Sequence, residues 1–478
     1  MDCRVTVGEI AEINASQYSA KEKWSHIQYL DTGSVKRGLI SDLQQLNPAI
    51  DKVPSRARRK VKRGSIVYSM VRPNQEHYAL LVNPPQNMLA STGFSVLDAN
   101  RAIVEPDYLY YALTTREAVE GFQSLAEQSV STYPTLGVSD LASFEITLPS
   151  LAKQKAVVSI LSSLDGKITA NNRINGYLLE LLKASAKNLY AEYERNEELE
   201  LPVGWRWIKV DEISEMVCRG ITPKYNLNSD ETVLGQTCVR NNLVLLENGR
   251  LHSPKKVTEK RLQKYDLLIN STGVGSLGRT AQIWFEPTKL VVDSHVTIVR
   301  CKEERHALYL GFWAFEHEEY IESLHTGSTG QTELPRDHVK AIRLVLPSDE
   351  ALERFNKMSE PSVELIVANQ EENKRLADLR DALLPKLMSG KIDVSKIDLT
   401  QLNSHLAQLV RGTPQCSCQS NLLFNLADHL CIDKHVICHL ESAFSIKELF
   451  TLRLFVQLID GFFRCPTEFS CILQHMVE

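Results

Sequence analysis

The chain has 478 residues, well beyond an ordinary domain, which argues against a single hydrophobic core. Apolar residues make up 43% and charged residues 24%, globular values that exclude a disordered chain, a collagen or a disulfide knot. Lysine plus arginine number 54 against 59 aspartates plus glutamates, so the net charge of −5 excludes a uniformly basic protein; a local basic face is still compatible with nucleic-acid binding.

No apolar stretch approaches the ~18 residues of a membrane span. The opening "MDCRVTVGEIAEIN" lacks a basic region followed by an apolar run, so neither a membrane segment nor a signal peptide is expected. Only Cys3, Cys218, Cys238 and Cys301 precede residue 400, which suits a reducing, cytoplasmic protein rather than a disulfide framework.

In chain order, the first feature is "RARRKVKRG". Arg56, Arg58, Arg59, Lys60, Lys62 and Arg63 place six positive charges in eight residues, a density suited to phosphate neutralisation. A solvated surface is the plain alternative. The cluster leads into the strand-like "SIVYSMV" and then "VRPN", which adds Arg72 and Asn74. Arginine suits guanine edges and asparagine adenine edges. "NPPQ" at Asn83–Gln86 resembles the Asn-Pro-Pro-aromatic motif of adenine methyltransferases, but Gln86 cannot stack on a flipped base and no glycine-rich cofactor loop follows a strand. It reads as a turn. Asp107–Glu120 reads as helical, and "EQSVSTYPT" (Glu127–Thr135), carrying Tyr133, as a loop.

A long helix follows Pro149. Val157, Leu164, Asn171, Leu178 and Ser185 form one series spaced by seven, and Leu161, Ile168, Asn175, Leu182 and Leu189 another. They interleave by four and three, which is a heptad seam with polar breaks. Further on, "NSTGVGSLGRTA" holds Ser271, Thr272 and Arg279 in a glycine- and hydroxyl-rich loop whose backbone could approach phosphate. It lacks the Lys-Ser/Thr of an ATP-binding loop. His295 sits in the strand-like "VDSHVTIV", as a core or surface histidine or a DNA contact. His306–Ser323 reads as helical, and "TGSTGQTE" offers Thr329 and Gln331. A second helix is expected to start cleanly after Pro361, with Ile366, Asn369, Asn373, Leu376, Leu379 and Leu383 on its seam, a possible kink at Pro385 and an end at Gly390. The stretch from Thr400 holds six of the ten cysteines. Its spacing fits no common zinc site, and it reads as an appended helical or poorly ordered extension, or a read-through end.

These elements repeat. "ITLPS" (Ile146–Ser150) returns as "LVLPS" (Leu344–Ser348), and "ITANNRIN" (Ile168–Asn175) as "IVANQEEN" (Ile366–Asn373), both at a shift of 198. "VGEIAEI" pairs with "VDEISEM" and "VKRGSIVYS" with "LQKYDLLIN". So long a period means two copies of a domain-plus-connector unit, not a solenoid. Asn171 matches Asn369 and Asn175 matches Asn373, and asparagines in a seam fix register. Either the two helices pack on each other, or on a partner, in one register, or they are unrelated amphipathic helices whose asparagines face water.

With the segments "PSRARRKVKRGSIVYSMVRPN", "ASTGFSVL", "STYPTLGVSDLASFEITLPS", "LPVGWRWIKVDEI", "LLINSTGVGSLGRTA", "VDSHVTIVR" and "LRDALLPKLMSGKIDV", the chain resembles the specificity subunit of type I restriction–modification systems over roughly its first 398 residues. The resemblance implies an α/β protein with a pseudo-two-fold internal repeat: two mixed α/β target-recognition domains joined by two long antiparallel coiled-coil helices. The domains would be 1–150 and 200–348, the connector helices 151–199 and 349–398, and the extension 399–478. Each domain would read one part of a bipartite, gapped site in double-stranded DNA. The helices would set the gap and dock two modification (methyltransferase) subunits, and restriction (translocase/endonuclease) subunits could join.

No catalytic residue, metal or cofactor is expected in this chain; S-adenosylmethionine and ATP/Mg belong to the partner subunits. The DNA-contacting residues so implied are Arg58, Arg59, Lys62, Arg72, Asn74 and Tyr133, with the rest of the basic cluster, then Ser271, Thr272, Arg279, His295, Thr329 and Gln331. The helix packing and docking residues are Leu164, Ile168, Asn171, Asn175, Leu178, Ile366, Asn369, Asn373 and Leu376. Two other readings compete: a self-sufficient adenine methyltransferase built on Asn83–Gln86, and a coiled-coil scaffold with no role on DNA.

Overall fold

The computed structural model describes residues 3–394 apart from 20, 130–132, 254–259, 274 and 328–331. Thr329, Gln331 and the cysteine-rich extension lie outside the described residues. The rest falls into two compact units: one holds the residues up to Ile168 and those from Lys374 on, the other Thr169–Asn373.

In the first unit, Cys3–Thr6 pairs antiparallel with Glu145–Leu148. An antiparallel sheet follows in the order Ala11–Ile13, Phe94–Ala99, Ile66–Ser69, Tyr78–Leu80. All four residues of Ile66–Ser69 are buried, which is why this strand reads as a continuous apolar run rather than an alternation. A second sheet runs Gln44–Leu46, Ile27–Leu30, Met88–Ser91, Ala57–Lys60, with its two middle strands parallel.

The second unit repeats the plan. Arg206–Lys209 pairs with Arg343–Leu346. One sheet runs Ser214–Arg219, Val296–Cys301, Leu267–Asn270, Thr280–Gln282, and the other Arg250–His252, Glu231–Leu234, Leu290–Val292, again with one parallel pair.

The helical segments expected at 107–120 and 306–323 each break in two. Pro106–Leu113 and Arg116–Glu127 are separated at Thr115, whose hydroxyl accepts from the Ala118 N–H at 3.2 Å and so caps a new helix. Ala307–Glu316 and Glu318–Ser323 are divided at His317.

The repeated "LPS" has a physical meaning. Ser150 and Ser348 stand before the long helices Leu151–Arg195 and Asp349–Met388, and each carbonyl accepts the first helical bond, from Gln154 and Leu352 at 2.9 Å. The expected start after Pro361 is therefore wrong: the second helix begins twelve residues earlier, at Asp349, and runs through the proline. A mid-helix proline forfeits one backbone bond and crowds the preceding turn, at about 3 kcal/mol. Burial of Leu352, Phe355, Val363 and Ile366 around it offsets that cost, and the Ser362 hydroxyl donates to the Met358 carbonyl at 3.3 Å. Gly390, with φ +70°, ends the helix.

The two long helices pack antiparallel, and each end joins the core of its own unit. Leu161 and Leu384 lie in one core with Ile66 and Leu109; Leu182 and Ile366 lie in the other with Phe312 and Leu344. Between them the asparagines meet as pairs. Asn369 Nδ2 donates to Asn175 Oδ1 at 2.7 Å, and Asn171 Nδ2 to Asn373 Oδ1 at 3.0 Å. The repeat exchanges these two pairs. Asn373 Nδ2 also reaches Asn172 Oδ1 at 2.8 Å. One residue of slip would leave several buried amides unpaired.

Candidate nucleic-acid interface

Part of the basic cluster is itself a strand, Ala57–Lys60, paired with Met88–Ser91 so that Lys60 faces Leu89 and Arg59 faces Ala90. Alternation sends Lys60 and Arg59 to opposite faces, and a bulge at Arg58 interrupts it, since Ala90 pairs with Arg59 and Ser91 with Ala57. Arg58 donates to the Ser55 carbonyl at 3.2 Å and meets no carboxylate among the described residues. Arg56 is exposed at the strand's start. Lys60 lies 2.5 Å from the Glu22 carboxylate and 5.4 Å from the Trp24 ring centroid. Arg59 is half-buried with Nε unpartnered, and burial lowers its pKa from the usual arginine value. Beyond the strand, Lys62 pairs with Asp98 at 3.2 Å, and the Arg63 carbonyl accepts from Arg101 at 3.1 Å.

The six charges expected to act as one phosphate-facing patch are therefore divided. Among the described residues Arg56, Arg58 and Arg63 meet no carboxylate, Lys60 and Lys62 are matched by carboxylates, and Arg59 is half-buried.

The turn after Met88–Ser91 gathers the free cations with the next loop. Thr92 N–H donates to the Arg56 carbonyl at 2.9 Å, and Met70 N–H to the Gly93 carbonyl at 3.0 Å. Val71 bridges Thr135, and Arg72 N–H reaches the Pro134 carbonyl at 2.9 Å. Arg72 has φ +48°, and its guanidinium carbon sits 5.1 Å from the centroid of the exposed Tyr133 ring. Asn74 is exposed beside it, its N–H on Gln123 Oε1 at 3.3 Å. Glu76 closes the turn 3.5 Å from Arg37, which lies 2.6 Å from Asp381 on the second long helix. Lys62 and Arg63 are displaced toward the sheet's other end, where Ile66 pairs with Leu97.

In the second unit the matching loops carry different chemistry. Thr272 bridges Glu333 as Val71 bridges Thr135. Thr272 Oγ1 lies 2.8 Å from His295 Nδ1 and accepts from Gln236 Nε2 at 3.0 Å. His295 is exposed, its N–H held by Asp293 at 2.8 Å. Burial pushes the Asp293 carboxyl up, against the hydrogen bond from His295. Two expected contacts are otherwise engaged. Ser271 is fully buried, its hydroxyl 2.6 Å from Thr297 Oγ1, because it continues the buried strand Leu267–Asn270. Arg279 is held by Glu318 at 3.0 Å.

The sequence reading missed three neighbours of this loop. Gln236 binds Thr272. Arg219 bonds Glu333 at 2.8 Å and the Ser294 carbonyl at 3.1 Å. Arg240 reaches the Gly275 carbonyl at 3.4 Å. None belongs to a motif, and only the fold brings them to the loop.

Along the helices, Leu164, Leu178 and Ile366 are buried, so they pack internally and present no docking surface. Ile168 and Leu376 are half-buried, and Leu379 is 47% exposed. Asn83–Gln86 is a turn between Tyr78–Leu80 and Met88–Ser91. Among the described residues no cluster of His, Cys, Asp or Glu could hold a metal, and no helix is long and apolar enough to cross a membrane.

Comparison with known proteins places these features. The sequence model for the type I restriction modification DNA specificity domain matches residues 4–179. The HindI specificity subunit of Haemophilus influenzae is 22% identical, with 81% of this chain and 98% of that protein covered. The MjaIX specificity subunit of Methanocaldococcus jannaschii is 24% identical over 67% of this chain and 76% of its own length. Among solved structures, the type I S subunit from M. genitalium is 16% identical, covers 81% of this chain and 96% of its own, and has a TM-score of 0.45. The HsdS subunit from Thermoanaerobacter tengcongensis is 18% identical over 82% and 97%, with a TM-score of 0.35. With a specificity-domain match over residues 4–179 and specificity subunits aligned along most of their length, the chain is similar to the specificity (S) subunits of type I restriction–modification systems.

Proposed function

We propose that this non-catalytic subunit reads a bipartite, gapped target in double-stranded DNA, one half-site through each copy of the repeat. Residues 1–150 and 200–348 act as the recognition domains, with 151–199 and 349–398 as connectors. The observation that carries this reading is the duplication itself. Both halves build a four-stranded sheet of the same strand order and carry equivalent bridges beside it, Val71 with Thr135 and Thr272 with Glu333. A duplicated reader matches a two-part site as protein symmetry matches half-site spacing.

Arg56 and Arg58 neutralise phosphates. Arg72, Asn74 and Tyr133 face DNA in the first half-site; Thr272, His295 and the residues around them do so in the second. The antiparallel helix pair sets the gap and offers its outer surface to two modification subunits, to which restriction subunits add. S-adenosylmethionine, ATP and Mg are bound by those partners, and this chain needs none of them to bind DNA.

The test is to express the chain with its modification partner and map methylated adenines. The expected result is one motif of two short half-sites separated by a fixed number of unspecified bases. Methylation that persists unchanged without this chain, or a single contiguous motif, would overturn the reading.

A further inference from the structure

We infer that Arg72 is the guanine-reading residue of the first half-site, an inference that rests on the chain's reading as a DNA-recognition subunit.

The repeat supplies the first argument. Val71–Thr135 and Thr272–Glu333 are equivalent bridges, and Met70 N–H to Gly93 carbonyl corresponds to Ser271 N–H to His295 carbonyl. Arg72 therefore occupies the place of Gly273. Gly273 has φ +90° and Arg72 has φ +48°. A left-handed backbone favours glycine, and a long side chain there is strained. One copy uses the residue the turn prefers and the other accepts the strain to carry a guanidinium.

The second argument is the state of that guanidinium. Arg37, Arg219, Arg279, Arg300 and Arg380 all meet carboxylates. Among the described residues Arg72's guanidinium meets neither a carboxylate nor a carbonyl. It lies over Tyr133, at 5.1 Å from the ring centroid, and both residues are exposed. The ring face holds the charge beside Tyr133, and no carboxylate or carbonyl among the described residues takes up its N–H groups. A phosphate contact needs only charge. A planar fork placed beside a ring before binding suits the O6 and N7 acceptors of guanine in the major groove. Arg56, in the turn before the neighbouring strand, and Arg58, at that strand's bulge, supply the phosphate contacts.

The experiment compares wild type, Arg72→Gly, Tyr133→Phe and Arg56→Ala/Arg58→Ala, each in complex with the modification subunits, by methylation mapping and by DNA binding over a salt series. Arg72→Gly installs the residue used by the second copy, so its unfolding temperature should match or exceed wild type. It should convert one guanine of one half-site to any base, leaving the other half-site and the gap unchanged. Affinity for the cognate site should fall roughly 5- to 150-fold with little change in salt slope. Tyr133→Phe keeps the ring and should keep the motif. An unchanged motif, with uniformly weaker binding and a salt slope reduced by about one, would make Arg72 a phosphate contact and overturn the inference alone. So would a wild-type motif lacking guanine. If wild type directs no bipartite methylation, the functional reading falls with it.

Discussion

Replacing Asn369 with alanine removes the donor that Asn175 Oδ1 accepts from at 2.7 Å. Asn175 is 5% exposed, so water cannot fully replace that donor. Its own Nδ2 has only a long bond, 3.4 Å, to the Ile366 carbonyl. A buried acceptor left unsatisfied costs about 1–3 kcal/mol, a loss of roughly 5- to 150-fold in the folding equilibrium. Replacing both asparagines with leucine removes donor and acceptor together, so the double variant should lose little or gain. The Asn171–Asn373 pair remains to hold register. Urea unfolding followed by tryptophan fluorescence reads this directly, since Trp205, Trp207, Trp284 and Trp313 all lie in the same unit as the pair. A double variant as unstable as the single one would refute the reasoning, because the loss would then come from packing rather than from an orphaned amide.

Substituting Arg56 and Arg58 together by alanine should weaken DNA binding and lower the salt slope by about 1.8, since each phosphate contact contributes about 0.9; Lys62→Ala/Arg63→Ala should change it little, and equal effects would contradict the division of the cluster. Arg300→Met should cost about 3–5 kcal/mol in chemical denaturation, because it strips the partner from Asp266, which is 1% exposed; a loss under about 1 kcal/mol would refute that. For Glu316, burial raises the carboxyl's pKa, but Lys187 at 3.0 Å and Lys183 at 3.3 Å outweigh it and hold the group below its usual value. A depressed carboxylate stabilises the fold above its unfolded pKa and loses that contribution as pH falls through the folded one. Thermal unfolding from neutral to about pH 3 should therefore show an acid-side loss that Lys183→Met/Lys187→Met makes shallower, and an identical acid limb would count against the pairing.

The duplication, the long helices and the asparagine positions were legible because they are local or periodic. A strand, a proline, a capping serine and a heptad recur as "LPS" and its downstream seam, and no distant residue is needed to recognise them. Where the second helix begins was misread for the same reason. Pro361 is a local stop signal, and only the burial of Leu352, Phe355, Val363 and Ile366 shows how the helix continues.

The candidate interface was half legible. Composition marked the cationic stretch 56–63, but which charges stay free depends on Glu22 and Asp98, brought up by pairing across the sheets. Ser271 looked like an exposed loop hydroxyl and is the buried end of a strand, and Gln236 and Arg219 carried no signal at all. Sequence by itself determined that there are two copies of one domain-plus-connector unit and two helices with matching polar positions. Tertiary structure decided which side chains remain unpaired at the surface, because a charge or hydroxyl is available only if nothing distant in the chain has folded back to satisfy it.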